Sequence, residues 1–368
     1  MGLDILICVD DVPNEQLTQQ VSSVEVNESM DQNTTYKLNF MIDVCDGDIA
    51  GPVEEDTSPG KMLSIQAKVN DSLVCLVKGP VTQQQAHLQH GGAGSWLHIE
   101  GEDTAHTMDH TTNFQLSDSA SDSDIVSTII SRNSQMIADV EATPDSMHTE
   151  ENHSHVQRET DLSLIRSLAR RNGFHFWITY SLQGLATGHF RPRNLQGEPA
   201  AVLIVNHESN NIDSLQISAD PRVPSQTEGK QLDLRTKSEI GGTVTLDDTP
   251  LGANGLAQVT SANPQSMHLA PTVDDSGAMQ ARSRAALREA QWFVHATCQT
   301  SLHRLSNVVR HHTIVEVQGA GSKHSGKYYV TGVKHTIDAT SHNMDLELAR
   351  NAWGNESGGT GSILSSIF

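Results

Sequence analysis

Residues 311–354 read HHTIVEVQGAGSKHSGKYYVTGVKHTIDATSHNMDLELARNAWG, and this stretch decides the fold class. Thr313–Val317, Tyr328–Ile337 and Asn343–Leu348 each alternate apolar and polar residues. A period of two over short runs marks half-buried antiparallel strands. Gly321–Lys327, between the first two runs, has the G-x-x-x-x-G-K spacing of a phosphate-binding loop. Tyr328 stands where a Ser or Thr would hold magnesium, and the residues after it continue as a strand. A phosphate loop must instead open into a helix whose N-terminus cradles the anion. A glycine-bearing hairpin turn is the expectation here.

Further strand-like runs occur near the other end, at Val21–Val26, Tyr36–Val44, Met62–Val69, Ser72–Val77 and Trp96–Glu100. Turn-rich pieces separate them, which is the signature of a small barrel or sandwich. Asp46–Gly60 carries Pro52, Pro59 and the acids Asp46, Asp48, Glu54, Glu55 and Asp56, and is expected as an exposed mobile loop. Val77-Lys-Gly79 before Leu97-His-Ile99 is weakly repeated as Val330-Thr-Gly332 before Leu346-Glu-Leu348.

The middle is mixed. Ser121-Asp-Ser-Asp offers capping side chains before Ile125, Val126, Ile129 and Ile130, which share one helical face. Glu141–His155 has no period and reads as a linker. Thr160 or Asp161 begins a second helix with Leu162, Ile165, Leu168 and Ala169 on one face. Arg170 and Arg171 suit its last turn, and Asn172-Gly173 supplies a left-handed cap. Phe174, Phe176 and Ile178 then alternate. Ala201–Val205, Leu215–Ile217 and Ser238–Leu246 are expected strands. Ala278–Thr297, rich in alanine with Leu287 and Phe293 for packing, is expected as a helix.

A length of 368 residues allows two to three domains, but only 36% of them are hydrophobic and 4% aromatic. There is no apolar run of about 18 residues to cross a membrane. Leu3–Val9 is too short for a signal peptide, and Leu6 occupies the Ser/Thr position of a myristoylation signal. No membrane anchor is therefore expected. Cys8, Cys45, Cys75 and Cys298 are widely spaced, as reduced buried thiols would be. Residues 1–160 hold 27 acidic and 6 basic residues, whereas residues 161–368 hold 18 of each. The net charge of −21 thus belongs to the N-terminal part, which lacks a basic footprint for nucleic acid. A solvated acidic surface is one reading; an acidic wall around a channel, or an acidic face for a basic neighbour, is the other.

Chemistry is sparse. Nineteen histidines include no H-E-x-x-H, and His153-x-His155 and the adjacent His311 and His312 lack further ligands at metal spacing. A strand would turn His311 and His312 to opposite faces. No G-x-S-x-G elbow occurs. No catalytic, cofactor or metal residue is assigned, and no enzyme activity is expected.

The order of a short basic helix, a charged strand, G-x-G, H-S-G-x-Y-Y-V, V-x-H-x-I, an alternating strand, a basic residue and Asn resembles the late control protein D family of contractile phages. The same module opens the VgrG spikes of type VI secretion. TDLSLIRSLARRNGFHFWI at Thr160–Ile178 is similar to a second motif of that family. The likeness covers residues 120–180 and 276–354 in wording, and the first 115 by pattern. It implies an α+β, mainly β chain with two tail-tube-like antiparallel β-barrels and an intervening mixed α/β region. The domains would be 1–115 (acidic barrel), 116–180 (helix-containing), 181–275 (mixed β), 276–354 (helix plus second barrel) and 355–368 (tail). Motif-matched structural positions are Gly173, Gly326, Tyr328, Tyr329, His335 and Asn351; His335 is expected to pack or hydrogen-bond.

Family members are baseplate hubs between tail tube and central spike. The resemblance implies a homotrimer whose six related barrels meet a six-fold tube while its other face meets a three-fold spike. Partners would be the spike protein, the tail tube or tube-initiator protein, and baseplate wedge proteins. DNA or cargo would pass through the channel without specific binding. The location would be the tail baseplate of a virion or phage-like particle, assembled in the host cytoplasm. The chain stops soon after Gly354, which favours a phage or phage-derived particle with a separate spike protein. Ile363, Leu364, Ile367 and Phe368 form an apolar tip, either a docking peptide or a disordered end. The alternatives are a tail-associated cell-wall hydrolase and a glycan-binding tail module.

Overall fold

The computed structural model describes residues 4–42, 44–45, 48–49, 53–90, 94–117, 119–133, 136–144, 155–232, 237–245, 249–271, 273 and 275–355. The main strands are β1 (Ile5–Val9), β2 (Val21–Ser29), β3 (Thr35–Met41), β4 (Met62–Val69), β5 (Ser72–His87), β6 (Trp96–Glu102), β7 (Met136–Val140), β8 (His175–Tyr180), β9 (Ala186–Arg191), β10 (Ala201–Ile204), β11 (Leu215–Ala219), β12 (Gln226–Leu232), β13 (Glu239–Thr245), β14 (Ser266–Leu269), β15 (Val294–Ser301), β16 (Ile314–Gln318), β17 (Gly326–Asp338) and β18 (His342–Arg350). The main helices are α1 (Asp122–Arg132), α2 (Asp161–Asn172) and α3 (Ser276–Ala290).

The strands at the two ends of the sequence meet in one 13-stranded sheet. Its order is β11-β15-β18-β17-β2-β3-β6-β5-β4-β1, with the pair Val12–Pro13 on β1 and with β10 reaching β17 through β16. The junction is the antiparallel pairing of β17 with β2, from Gly332 opposite Ser29 to Asp338 opposite Ser23. The strands of 1–115 and 276–354 thus share a sheet, and no closed barrel is found among the described residues. Alternation tells each strand which face to bury, but not which edge to pair.

Two strands do the splicing. In β5, Ser72–Pro80 pair with β4 and Val81–His87 pair with β6, with a register break between Val81 and Gln83. In β17, Gly326–Tyr329 pair with β16 and Gly332–Asp338 pair with β2. The register of β17 on β18 breaks between Val330 and Gly332. A bulge bends a strand and strengthens its local twist, which lets one strand serve two neighbours. The weakly repeated Gly79 and Gly332 both lie beside these hand-over points.

The strand runs from the sequence are present, with altered bounds. The second expected N-terminal run ends at Met41, and the fourth extends to His87. β1, set aside above as a poor signal peptide, is a core strand paired with β4. Val53–Asp56, inside the supposed mobile loop, is a helical turn with Val53 buried in the main core and Asp56 accepting a 2.8 Å hydrogen bond from Asn14. α3 ends at Ala290, and Val294–Ser301 is a strand. The alanines favour helix locally, but Val294, Ala296 and Cys298 alternate into the core, and tertiary burial overrides propensity. Cys8, Cys75 and Cys298 are free and buried, as expected of reduced thiols. Burial pushes the Cys75 thiol up to about 11 and the Cys298 thiol up to about 12.

A second core lies under α1, α2 and a three-stranded sheet of β7, β9 and β8. The Ser121 side chain caps α1 and the Asp124 side chain returns the contact, closing a capping box. Thr160 caps α2, and Gly173 ends it at φ +67°. α3 packs beside α2 and against the small sheet β13-β12-β14.

Gly173 tests this packing. A Cβ there would adopt a left-handed conformation and stand 3.0 Å from the Ala285 Cα of α3. Gly173→Ala should cost about 1–3 kcal/mol from both effects, read as a lower denaturant midpoint at an unchanged slope. A neutral result would mean that α2 and α3 do not meet this closely.

Candidate functional site

Reading across the registers, the outer face of the large sheet is a set of polar rows. One row runs Gln299, Asp345, Lys334, Asn27, Thr35 and Glu102 from β15 to β6. The next runs Ser301, Asn343, Thr336, Glu25, Lys37, Glu100 and Gln83. Lys334 pairs with Glu25 at 2.8 Å and Lys37 with Glu100 at 2.8 Å. Glu102, Asp338, Asp345 and Glu347 add further carboxylates, so acids outnumber the two lysines on this face. A groove of about 560 Å³ opens over β2, β17, β18 and β15, lined by Asn27, Gln299, Lys334, Asp345 and Glu347.

Directly beneath lies a buried ion cluster. In β2, Val24, Val26 and Glu28 all face the core, and Glu28 is 0% exposed. An isolated carboxylate there would be costly. Arg310 Nε meets Glu28 Oε1, and the His311 backbone and Nδ1 reach Glu28 Oε2 at 3.1 and 2.7 Å. His335 Nε2 stands 3.6 Å from Glu28 Oε1, and His335 Nδ1 is 3.0 Å from His342 Nε2. Burial raises the Glu28 pKa, but Arg310, His311 and the hydrogen bonds outweigh it and hold the carboxyl well below the usual range. Burial, reinforced by His335, pushes His342 down to about 3.

Arg310 also donates to the backbone carbonyls of Cys75 (2.7 Å) and Leu76 (2.8 Å) in β5. One guanidinium thus ties β2, β5 and the segment before β16. His311 and His312 lie in a turn before β16, and His312 has φ +58°.

A second joint holds the helical layer. His312 stacks on Trp177 (centroids 3.9 Å apart) and lies 2.9 Å from the Tyr329 hydroxyl. His175 bridges Asp31 at 2.9 Å and Glu289 at 3.2 Å. Arg193 pairs with Glu289 at 3.0 Å and lies over the Trp292 ring. Burial lowers the pKa of His175, but its two carboxylates raise it by more, whereas burial and neighbouring cations depress His312. On the adjoining sheet, His189 joins Asp139 (2.6 Å) to Thr179 (2.7 Å).

The motif-matched residues fall in these joints and one more. His335 is in the ion cluster, where it hydrogen-bonds to His342, and Tyr329 is in the aromatic joint. Tyr328 donates to the His324 carbonyl at 2.8 Å. Asn351 accepts from the Leu251 N–H at 2.8 Å. Between them Arg350, fully buried, donates to the carbonyls of Leu251, Ser325 and Gly354 and lies over Tyr328. Gly326 has φ +125°, and a Cβ there would meet Arg350 Nη2 at 2.8 Å. Gly173 stands apart at the end of α2. Ile363, Leu364, Ile367 and Phe368 lie outside the described residues. Glu28 and Arg310 were missed; the clue for Glu28 was that it continues the inward series Val24, Val26. The N-terminal acids are not all solvated, because Glu28, Asp103 and Asp122 are buried. Among the described residues no cluster is arranged to hold a metal ion, and no helix is long and apolar enough to cross a membrane.

The fold is that of tail proteins. A prophage MuSo2 tail protein of 43 kDa from Shewanella oneidensis superposes with a TM-score of 0.65 at 12% identity, covering 95% of this chain and 98% of that one. A tail protein from Neisseria meningitidis gives 0.64 at 12% identity, covering 95% and 96%. An Escherichia coli component of the type VI secretion system gives 0.58 at 11% identity, covering 94% and 77%. The family described as the Alg8 N-terminal domain matches residues 4–181, just under half of the chain. No curated protein matches the sequence.

The ion cluster sets a clear energetic expectation. Arg310→Met leaves Glu28 buried without its strongest partner and should cost about 3–5 kcal/mol. Adding Glu28→Gln should return about 1–3 kcal/mol of that in a double-mutant cycle of denaturant unfolding. Strictly additive losses would mean that the two side chains do not interact.

Proposed function

We propose that this chain is a structural baseplate hub of a contractile phage tail or phage-derived injection particle, of the late control protein D kind. It forms a homotrimer that joins the six-fold tail tube to the three-fold spike. The observation that carries this reading is the doubled splice in one sheet. β5–β6 and β17–β18 are two hairpins, each with a register break where its long strand changes partner. Three copies would present six such hairpins to a six-fold ring, while three-fold symmetry remains for the spike. The shared fold with tail proteins over nearly the whole chain supports the same reading.

The polar outer face suits the channel wall. Its excess of carboxylates repels a passing polyanion, and no apolar side chain interrupts its central rows to retain cargo. These acids come from both ends of the sequence, so the wall would not be the N-terminal part alone. The partners on this reading are the spike protein, the tube or tube-initiator protein and the wedge proteins, in the tail baseplate. The mass of the purified chain by light scattering, alone and with the neighbouring spike protein, tests it. Three times 39.9 kDa, or an equimolar complex with three copies of each, is expected. A monomer indifferent to the spike would sink the hub reading.

Asp139, His189 and Thr179 give the cell-wall hydrolase a geometric foothold. Their hydrogen bonds have the connectivity of a carboxylate–imidazole–hydroxyl relay. Trp177 stacks on His189 and Arg191 binds Asp139, so the chain also serves as a cross-strand link. Purified protein should leave peptidoglycan intact. Turnover that disappears in Thr179→Val would establish the hydrolase instead.

A further inference from the structure

We propose that residues 306–312 form an acid-released clamp between the two ends of the large sheet, opened by proton uptake at buried histidines. This inference stands on the clamp's own contacts and does not depend on the hub reading.

The segment reaches across the molecule at four points. The Ser306 carbonyl accepts from the Asn70 side chain at 3.3 Å. Arg310 grips the Cys75 and Leu76 carbonyls and Glu28, His311 adds two contacts to Glu28, and His312 is stacked on Trp177. Both ends are non-glycine residues in the left-handed region, Ser306 at φ +52° and His312 at φ +58°. Such conformations persist only where surrounding contacts over-determine them. Loss of those contacts lets the ends relax, so the closed clamp is poised against its own backbone.

The contacts respond to protons in a defined window. His342 touches His335, and through it the Glu28, Arg310 and His311 group. His312 faces His311, His175, Arg193 and Glu28, with Tyr329 and Trp177 on its other sides. His342 and His312 are both held neutral in the closed form, by burial and then by neighbouring positive groups. A base whose pKa is depressed on closing stabilises the closed form fully above its free value. That contribution fades as pH falls from about 6.5 toward the closed-state value. Glu28, Asp31 and Glu289 have lowered values, so their contribution is lost only below the free carboxylate range, about 4.3. His175 has a raised value, so its contribution is complete below about 6.5 and is lost only at higher pH. Between pH 4.5 and 6.5 these two neutral histidines therefore govern the contacts, together with His189, which also stacks on Trp177 and whose pKa burial also lowers. For His342 alone, moving from pH 7.5 to pH 5.0 shifts the balance toward the open form about 30-fold.

Amide hydrogen exchange of the full chain at pH 7.5 and pH 5.0, corrected for intrinsic rates, tests the clamp. Protection should fall by about 30-fold or more at pH 5.0 in residues 306–312 and in the Ser72–Pro80 part of β5. β3 and the α1–α2 layer should stay protected. His342→Gln and His312→Asn should each remove part of this pH dependence. Site-resolved exchange at the imidazole C2 position of the unmodified protein gives an independent reading, with both histidines titrating well below the free imidazole value and His342 at about 3. Unchanged protection at pH 5.0, an equal loss throughout the molecule, or ordinary titration of both histidines would overturn the proposal. So would a pH dependence that survives in both variants.

Discussion

A single carboxylate, buried on the core side of β2, sets the terms for the rest of the structure. Glu28 sits where β2 meets β17, the pairing that, among the described residues, joins the ends of the sequence into a continuous sheet. Left alone it would shed its charge or prevent the sheet from closing. Arg310, His311 and His335 come from two separate C-terminal elements, so the charge is satisfied only when the C-terminal part has docked. The cluster therefore enforces assembly of the two ends in one register. A well-packed apolar trio could equal its stability, but it would not specify the partner in the same way.

The same economy appears wherever elements must be held together without a large apolar area. Arg350 gathers three carbonyls from the loops at the end of β18. Lys78 joins Asp11 to the Gly184 carbonyl in the turn between β8 and β9. Arg171 and Asn172 hold the buried Asp122 at the start of α1. Each case pairs a buried or half-buried charge with partners distant in sequence, which makes the contact geometry exacting. With few aromatic residues available, these joints do work that larger cores do by burial alone.

The two faces of the large sheet then divide the labour. The inner face carries a shared core, from Ile7 and Tyr36 to Tyr328 and Leu348. The outer face carries polar rows across eight strands, with the cross-strand pairs Lys334–Glu25 and Lys37–Glu100 among them and the exposed Met41 at the end of β3. Its central rows offer little apolar purchase to whatever passes over them.

Much of this was legible in the residues. The alternating runs placed most strands, Ser121 and the pair Thr160-Asp161 marked the helix starts, and Asn172-Gly173 marked a helix end, because caps and period are local properties. The wording of Tyr328–Ile337 and of Thr160–Ile178 pointed to the tail-protein fold. Failures came where local signals compete with distant ones. Alanine propensity carried the third helix too far, since the burial of Val294 and Ala296 depends on β18. An acidic loop concealed Val53, which the fold buries in the main core. What the sequence determined by itself was which residues form strands and helices and which face each would bury. Only the tertiary structure decided that β2 pairs with β17, and that Glu28 is answered by His311, 283 positions away. Alternation encodes a face, whereas edge pairing and charge neutralisation depend on which chain segments the fold brings within a few ångströms.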